Sequence, residues 1–230
     1  MMLIGIVIFA GLKYGRVMMF AGGFRPFVFG TILQIFSGGY LFTFLQSIIH
    51  ATTAGDREMP DLPGMSNFVD DILMPFFRLL GLVLICFTPA IGLAIWVGMS
   101  GETTGVVAVI GATILGFIYF PMAFLAVAIL DSVAAANPLV IIPSMLRVPL
   151  EYFVTLILLA AVFGFRGLGD LVIGVALPRG LLSHSMAEMF AYIGANAFWG
   201  FASFYLLIVG IHILAQLYVA KRQKLGWLNR

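Results

Sequence analysis

The chain has 230 residues, of which 62% are hydrophobic and 10% charged, with a formal net charge of +2. A soluble domain is about half apolar and about a quarter charged, so the composition excludes an ordinary cytosolic enzyme, a disordered segment and a nucleic-acid binder. Twenty-two Phe, 26 Gly and a mean hydropathy of +1.12 describe an all-α integral membrane helical bundle.

At about 20 residues per helical crossing plus short loops, this length predicts about five to six crossings. One or two re-entrant or interfacial segments are expected beside them. Residues 1–230 read as a single transmembrane domain with polar loops at 50–71 and 166–189. No basic stretch precedes the first apolar run and no small-residue cleavage site follows it, so no cleavable signal peptide is expected. Cys86 is the one cysteine and sits in an apolar run, which suits an inert buried thiol.

Met1 to Phe20 is apolar but interrupted by Lys13 and Arg16, a poor crossing or a surface segment. Phe24-Arg25-Pro26 reads as a turn into a helix. Phe27 to Ile49 then crosses, and its Gly38-Gly39 pair predicts a close helix contact or a kink. His50 to Asp71 is the most polar stretch, with Pro60 and Pro63 favouring an extended loop. Ser66 could cap a short helix with Phe68, Val69, Ile72, Leu73 and Phe76 on one face.

Pro75 to Met99 and Gly105 to Leu130 are the next crossings, joined by a tight turn and carrying Pro89 and Pro121. Asp131 to Pro149 is apolar yet holds Pro138, Pro143 and Pro149, which a regular spanning helix would not tolerate. A broken, re-entrant or interfacial element is expected there. Leu150 to Phe165 is short for a crossing, and Arg166 to Glu188 reads as non-spanning. Phe190 to Val219 is the longest clean helix. Gly194, Ala197, Gly200 and Ser203 would give it a small-residue packing face, with Gly210 off that stripe.

Four of the 12 bases fall in the last ten residues, so the positive-inside rule places the C-terminus in the cytoplasm. Counting back puts the 50–71 loop and the Asp131–Pro149 segment on the same side. A shift of 112 residues aligns Pro26 with Pro138, Val28 with Val140, Tyr40 with Tyr152 and Thr43 with Thr155. This is the weak symmetry of a candidate duplication, and also what chance gives in so apolar a chain.

Few residues could carry chemistry. His50, His184 and His212 share no ligand spacing, and His184 has only Glu188 four residues on. No cofactor, metal or catalytic residue is expected. Ionisable groups inside a membrane are candidate functional residues, so Asp131, Arg78, Arg147 and Asn196 stand out, with Gln34 and Gln46 beside them. A deep Asp131 would need Arg147 or Arg78 as its partner, because an unpaired buried charge is costly.

The loop from Thr53-Ala54-Gly55-Asp56-Arg57-Glu58 to Pro63, the run Asp70-Asp71-Ile72-Leu73-Met74-Pro75, Asn137-Pro138 to Arg147, and the ending Leu217-Tyr218 to Trp227 resemble those of uncharacterised bacterial polytopic membrane proteins. More loosely, the chain is similar to Yip-type membrane proteins, helical bundles linked to membrane trafficking. The resemblance implies turns and loops, and no catalytic residues.

Together these features lead to the expectation of a non-enzymatic multi-pass protein of the bacterial inner membrane. It would serve as a scaffold or as a subunit of a larger membrane complex. Its partners would be the lipid bilayer and a membrane protein or further copies of itself, not nucleic acid. The alternative is a small transporter or channel-like protein with a polar path near Asp131 and Asn196.

Overall fold

In a computed structural model, residues 10–12, 15, 19, 23–56, 60, 67–101, 105–176, 186–225 and 227 are described. The architecture is all-α, with no strand among those residues. Among the described residues the chain forms α1 Phe24–Ala54, α2 Met74–Ser100, α3 Gly105–Leu130, α4 Pro138–Arg147, α5 Pro149–Ala176 and α6 Met186–Leu225. A π-helical turn at Val69–Leu73 leads into α2, and a 3₁₀ turn at Val133–Ala136 leads into α4. Five of the helices are long and apolar enough to cross a membrane. The chain is a multi-pass helical bundle.

Two antiparallel hairpins frame it. In α2–α3, Gly101 ends α2 at φ 69 and its N–H donates to the Val97 carbonyl at 3.0 Å, a left-handed cap that glycine adopts freely. Gly116 then lies against the Cys86 carbonyl, and Phe87 meets Phe117 edge-on at 5.1 Å. In α5–α6, Lys221 pairs with Glu151, Gly210 lies on Leu159 and Trp199 lies on Gly169.

α1 joins the hairpins. Phe42 meets Phe124 of α3 at 5.5 Å, and Phe44 stacks on Phe204 of α6 at 5.4 Å. These rings belong to one core with Leu82, Met122, Leu125, Ile141 and Leu214, all fully buried. The short stretch ahead of α1 also packs on it: a Cβ on Gly30 would come within 2.6 Å of the Gly15 carbonyl oxygen. Gly11 and Gly15 form a G-x-x-x-G spacing that permits this approach, a motif the sequence carries openly. The rest of Met1 to Phe20, including Lys13 and Arg16, lies outside the described residues.

Several boundaries differ from expectation. The polar loop at 50–71 is shorter at both ends, because α1 runs through Ala54 and helical structure resumes at Phe68. Ser66 lies outside the described residues. Of the apolar face foreseen over 68–76, Ile72 is buried while Phe68 and Val69 are exposed, because the π turn rotates the face. The loop at 166–189 is also reduced: α5 continues through Ala176 and α6 begins at Met186. No proline interrupts 166–176, and glycine only weakens a helix that Leu168, Leu171 and Val172 continue.

The proline-rich break is present. α3 stops at Leu130, Asn137 accepts a hydrogen bond from the Leu139 N–H at 2.9 Å to cap α4, and Val148 (φ −135, ψ 52) separates α4 from α5. Pro143 is carried inside α4. The two stretches aligned by the 112-residue shift take different forms: α1 is continuous through Tyr40, whereas the second copy breaks before Tyr152.

Candidate functional site

Three polar centres tie the helices to one another. The first is Asp131, which ends α3 in the left-handed conformation at φ 53. A short polar side chain makes that conformation tolerable outside glycine. Its Oδ1 accepts from Arg78 Nη1 of α2 and from Gln46 Nε2 of α1, the latter at 2.9 Å. Gln46 Nε2 also donates to the Ala128 carbonyl at 3.0 Å. One carboxylate therefore ties three helices. The side chain of Asp131 is 56% exposed and that of Arg78 28%, so the pair sits at the rim rather than in the core. Of the two partners foreseen for Asp131, Arg78 is the one it meets.

The second centre is His212. Thr52 Oγ1 donates to the Ile48 carbonyl at 2.8 Å, so its oxygen is left to accept from His212 Nδ1, 3.1 Å away. Gln216 Nε2 lies 2.9 Å from the other ring nitrogen and donates to it. The pattern fits the tautomer with its proton on Nδ1. A ring with both nitrogens so engaged is a tether between α1 and α6 rather than a metal ligand. Among the described residues no group of three His, Cys, Asp or Glu could hold a metal ion.

The third centre is the C-terminal clasp. Arg147 Nη1 donates to the Leu225 carbonyl at 3.1 Å, at the negative end of the α6 dipole. Trp227 Nε1 donates to Ser144 Oγ at 2.9 Å in a buried contact and stacks on Tyr218. Lys221 Nζ lies 2.6 Å from Glu151. Arg147 is thus occupied by the tail and not by Asp131.

The remaining foreseen residues are placed differently. Asn196 Nδ2 donates to the Tyr192 carbonyl within its own helix at 2.8 Å. Asp131 and Asn196 therefore stand on separate helices with separate partners. On the small-residue stripe, Ser203 is buried, Ala197 and Gly200 are half-buried, and Gly194 is exposed with no described atom near its missing Cβ. Burial falls off along the stripe because a three-residue repeat drifts around a 3.6-residue helix. Gly210, off the stripe, is the glycine buried against α5. His184 lies outside the described residues.

The α5–α6 hairpin also carries an apolar groove. Two adjoining cavities of about 360 and 350 Å³ share Phe165 and Phe198, and Trp199 and Tyr205 extend the groove along α6. Trp199 Nε1 is buried with no hydrogen-bond partner among the described residues. Nothing in the composition of this helix marks that tryptophan; the glycine at 169 that receives its ring is the one local signal. Compared with protein families, curated sequences and solved structures, the chain shows no match.

Proposed function

We propose that this chain is a non-enzymatic integral membrane protein of the bacterial inner membrane, a scaffold or subunit of a larger membrane complex, with its C-terminus in the cytoplasm. The observation that carries the proposal is the α5–α6 groove. Its walls are apolar and it opens outward, and the buried indole N–H of the Trp199 that lines it has no partner among the described residues. Buried donors are nearly always paired. A neighbouring transmembrane helix seated there would fill the groove by close packing. The partial resemblance to Yip-type bundles agrees with a role that needs no catalytic residue.

Purification from the native membrane in mild detergent tests this. The parent should migrate as a complex larger than one chain, and Phe198→Ala should reduce it to the single-chain size. Phe198 is 70% exposed, so its truncation leaves the fold unaffected. A parent already of single-chain size would overturn the proposal. For the topology, a reporter fused after Arg230 should be active on the cytoplasmic side; activity on the opposite side would reject it.

A further inference from the structure

α4 has ten residues, about 15 Å of helix, half of the roughly 30 Å hydrocarbon core of a bilayer. It does not cross. One side is fastened to the bundle: Ile141 and Ser144 are buried, Ser144 accepts from Trp227, and Arg147 holds the end of α6. The other side is open and apolar. Leu139 is 83% exposed, Ile142 49% and Leu146 72%, at helical spacing along one face. The apolar surface continues into α5 through Leu150 and Phe153, so it is continuous with the flank of a membrane-length helix.

Bases gather at the C-terminal end of this helix. Arg147, Lys221, Arg222 and Lys224 stand at the C-terminal end of α4 and the end of α6; the carboxylates Glu151 and Asp131 on the same side are paired, with Lys221 and Arg78. Arg222 and Lys224 are exposed. A short helix with one apolar face and a basic rim is the composition of an element lying in the headgroup layer. Water would be a poor environment for that face, while the positive rim matches a negatively charged lipid surface.

We propose that α4 lies in the membrane interface, with Leu139, Ile142 and Leu146 at the acyl boundary, and that Arg147, Arg222 and Lys224 bind the phosphates of anionic phospholipids. This site is independent of the α5–α6 groove, so it stands whether or not the chain belongs to a complex. It also makes the C-terminal clasp part of the site, because the contacts from Trp227 and Arg147 fix the end of α6 and its bases at the C-terminal end of α4.

The full chain carrying Trp96→Phe and Trp199→Phe leaves Trp227 as its fluorescent reporter. In neutral-detergent micelles it is titrated with brominated phosphatidylglycerol or brominated phosphatidylcholine. Phosphatidylglycerol should quench at the lower mole fraction, and high salt should erase the preference. Arg222→Gln with Lys224→Gln should raise the phosphatidylglycerol needed by about five-fold per base. Equal quenching by the two lipids in the parent would overturn the proposal, as would a preference that survives both salt and the double substitution. Ile142→Ser with Leu146→Ser tests the face: quenching by both lipids should fall. A change in oligomeric size with quenching intact would show that protein, not lipid, covers α4, and would also overturn it.

Discussion

The hydroxyl of Thr43 donates to the main-chain carbonyl of Asp71 at 2.9 Å. In an α-helix that carbonyl would receive the N–H of residue 75, and residue 75 is proline. The π turn over Val69–Leu73 and the Thr43 hydroxyl thus answer the same local deficit. Tyr152 of α5 also donates across helices, to the Ile118 carbonyl of α3, the residue after the Phe117 carbonyl that Pro121 leaves without its N–H. At Pro75 a side chain of one helix thus repairs the proline gap of another, as expected where water is excluded.

Thr43→Val keeps the shape and removes the donor. It should cost about 1–2 kcal/mol, read as a lower melting temperature in detergent. Thr31→Val is the control, since Thr31 bonds the Phe27 carbonyl of its own helix at an exposed position. Equal effects of the two changes would remove the special role of the Asp71 carbonyl.

Gly39 supports the same junction. A Cβ there would come within 2.1 Å of the Ile72 carbonyl oxygen, so α1 and the π turn would have to part. Gly39→Ala should destabilise by about 1–3 kcal/mol, despite the roughly 0.5–1 kcal/mol that alanine gains in a helix. Gly92→Ala, with open space around it, should be neutral or stabilising. Both are measured by thermal unfolding. An unchanged melt for Gly39→Ala would mean that the helices separate there at little cost.

Much of this frame was legible in the sequence. Long apolar runs and the positions of Pro75, Gly101 and Asn137 locate α2, α3 and the break before α5, because backbone chemistry at those residues is local. The Gly38-Gly39 contact was legible for the same reason. The Asp131–Arg78 pair was half legible: a charge near a helix end demands a partner, but which helix supplies it depends on the fold. Thr43, Tyr152 and the Ser144–Trp227 contact were not legible, since Thr, Tyr and Ser suit many places in a helix and their partners lie 28, 34 and 83 residues away.

Asp131 combines a backbone demand with an ion pair, and substitution can separate them. Asp131→Ala loses the pair and keeps a left-handed conformation costing about 1–2 kcal/mol for a residue with an ordinary side chain. Asp131→Gly loses the pair and relieves the backbone. The pair itself, partly exposed, is worth about 0–1 kcal/mol. Unfolding in detergent should therefore rank Asp131→Gly close to the parent and Asp131→Ala below both. If alanine and glycine are equal, the backbone demand at this position is unimportant. If both fall far below the parent, the tie between α1, α2 and α3 outweighs it.

Gly210 tests how α6 packs on α5. It is buried, and a Cβ built on it would lie 3.3 Å from Leu159 Cδ2. Alanine would ask Leu159 to yield by a few tenths of an ångström, whereas leucine adds three more heavy atoms to a filled contact. Gly210→Leu should cost about 1–3 kcal/mol, the range for overpacking, and should lower the melting temperature in detergent. Gly194→Leu introduces the same side chain where no described atom lies within 4 Å, so it should leave the melt unchanged. The comparison holds residue type and helix constant and varies only the neighbour. A larger loss from Gly194→Leu would place the packing face on the three-residue stripe instead. If Leu159→Ala in the Gly210→Leu background restores the melting temperature, the damage is steric and belongs to that pair. If it does not, the leucine disturbs the helix by another route and the Gly210–Leu159 contact is not what holds α6 to α5.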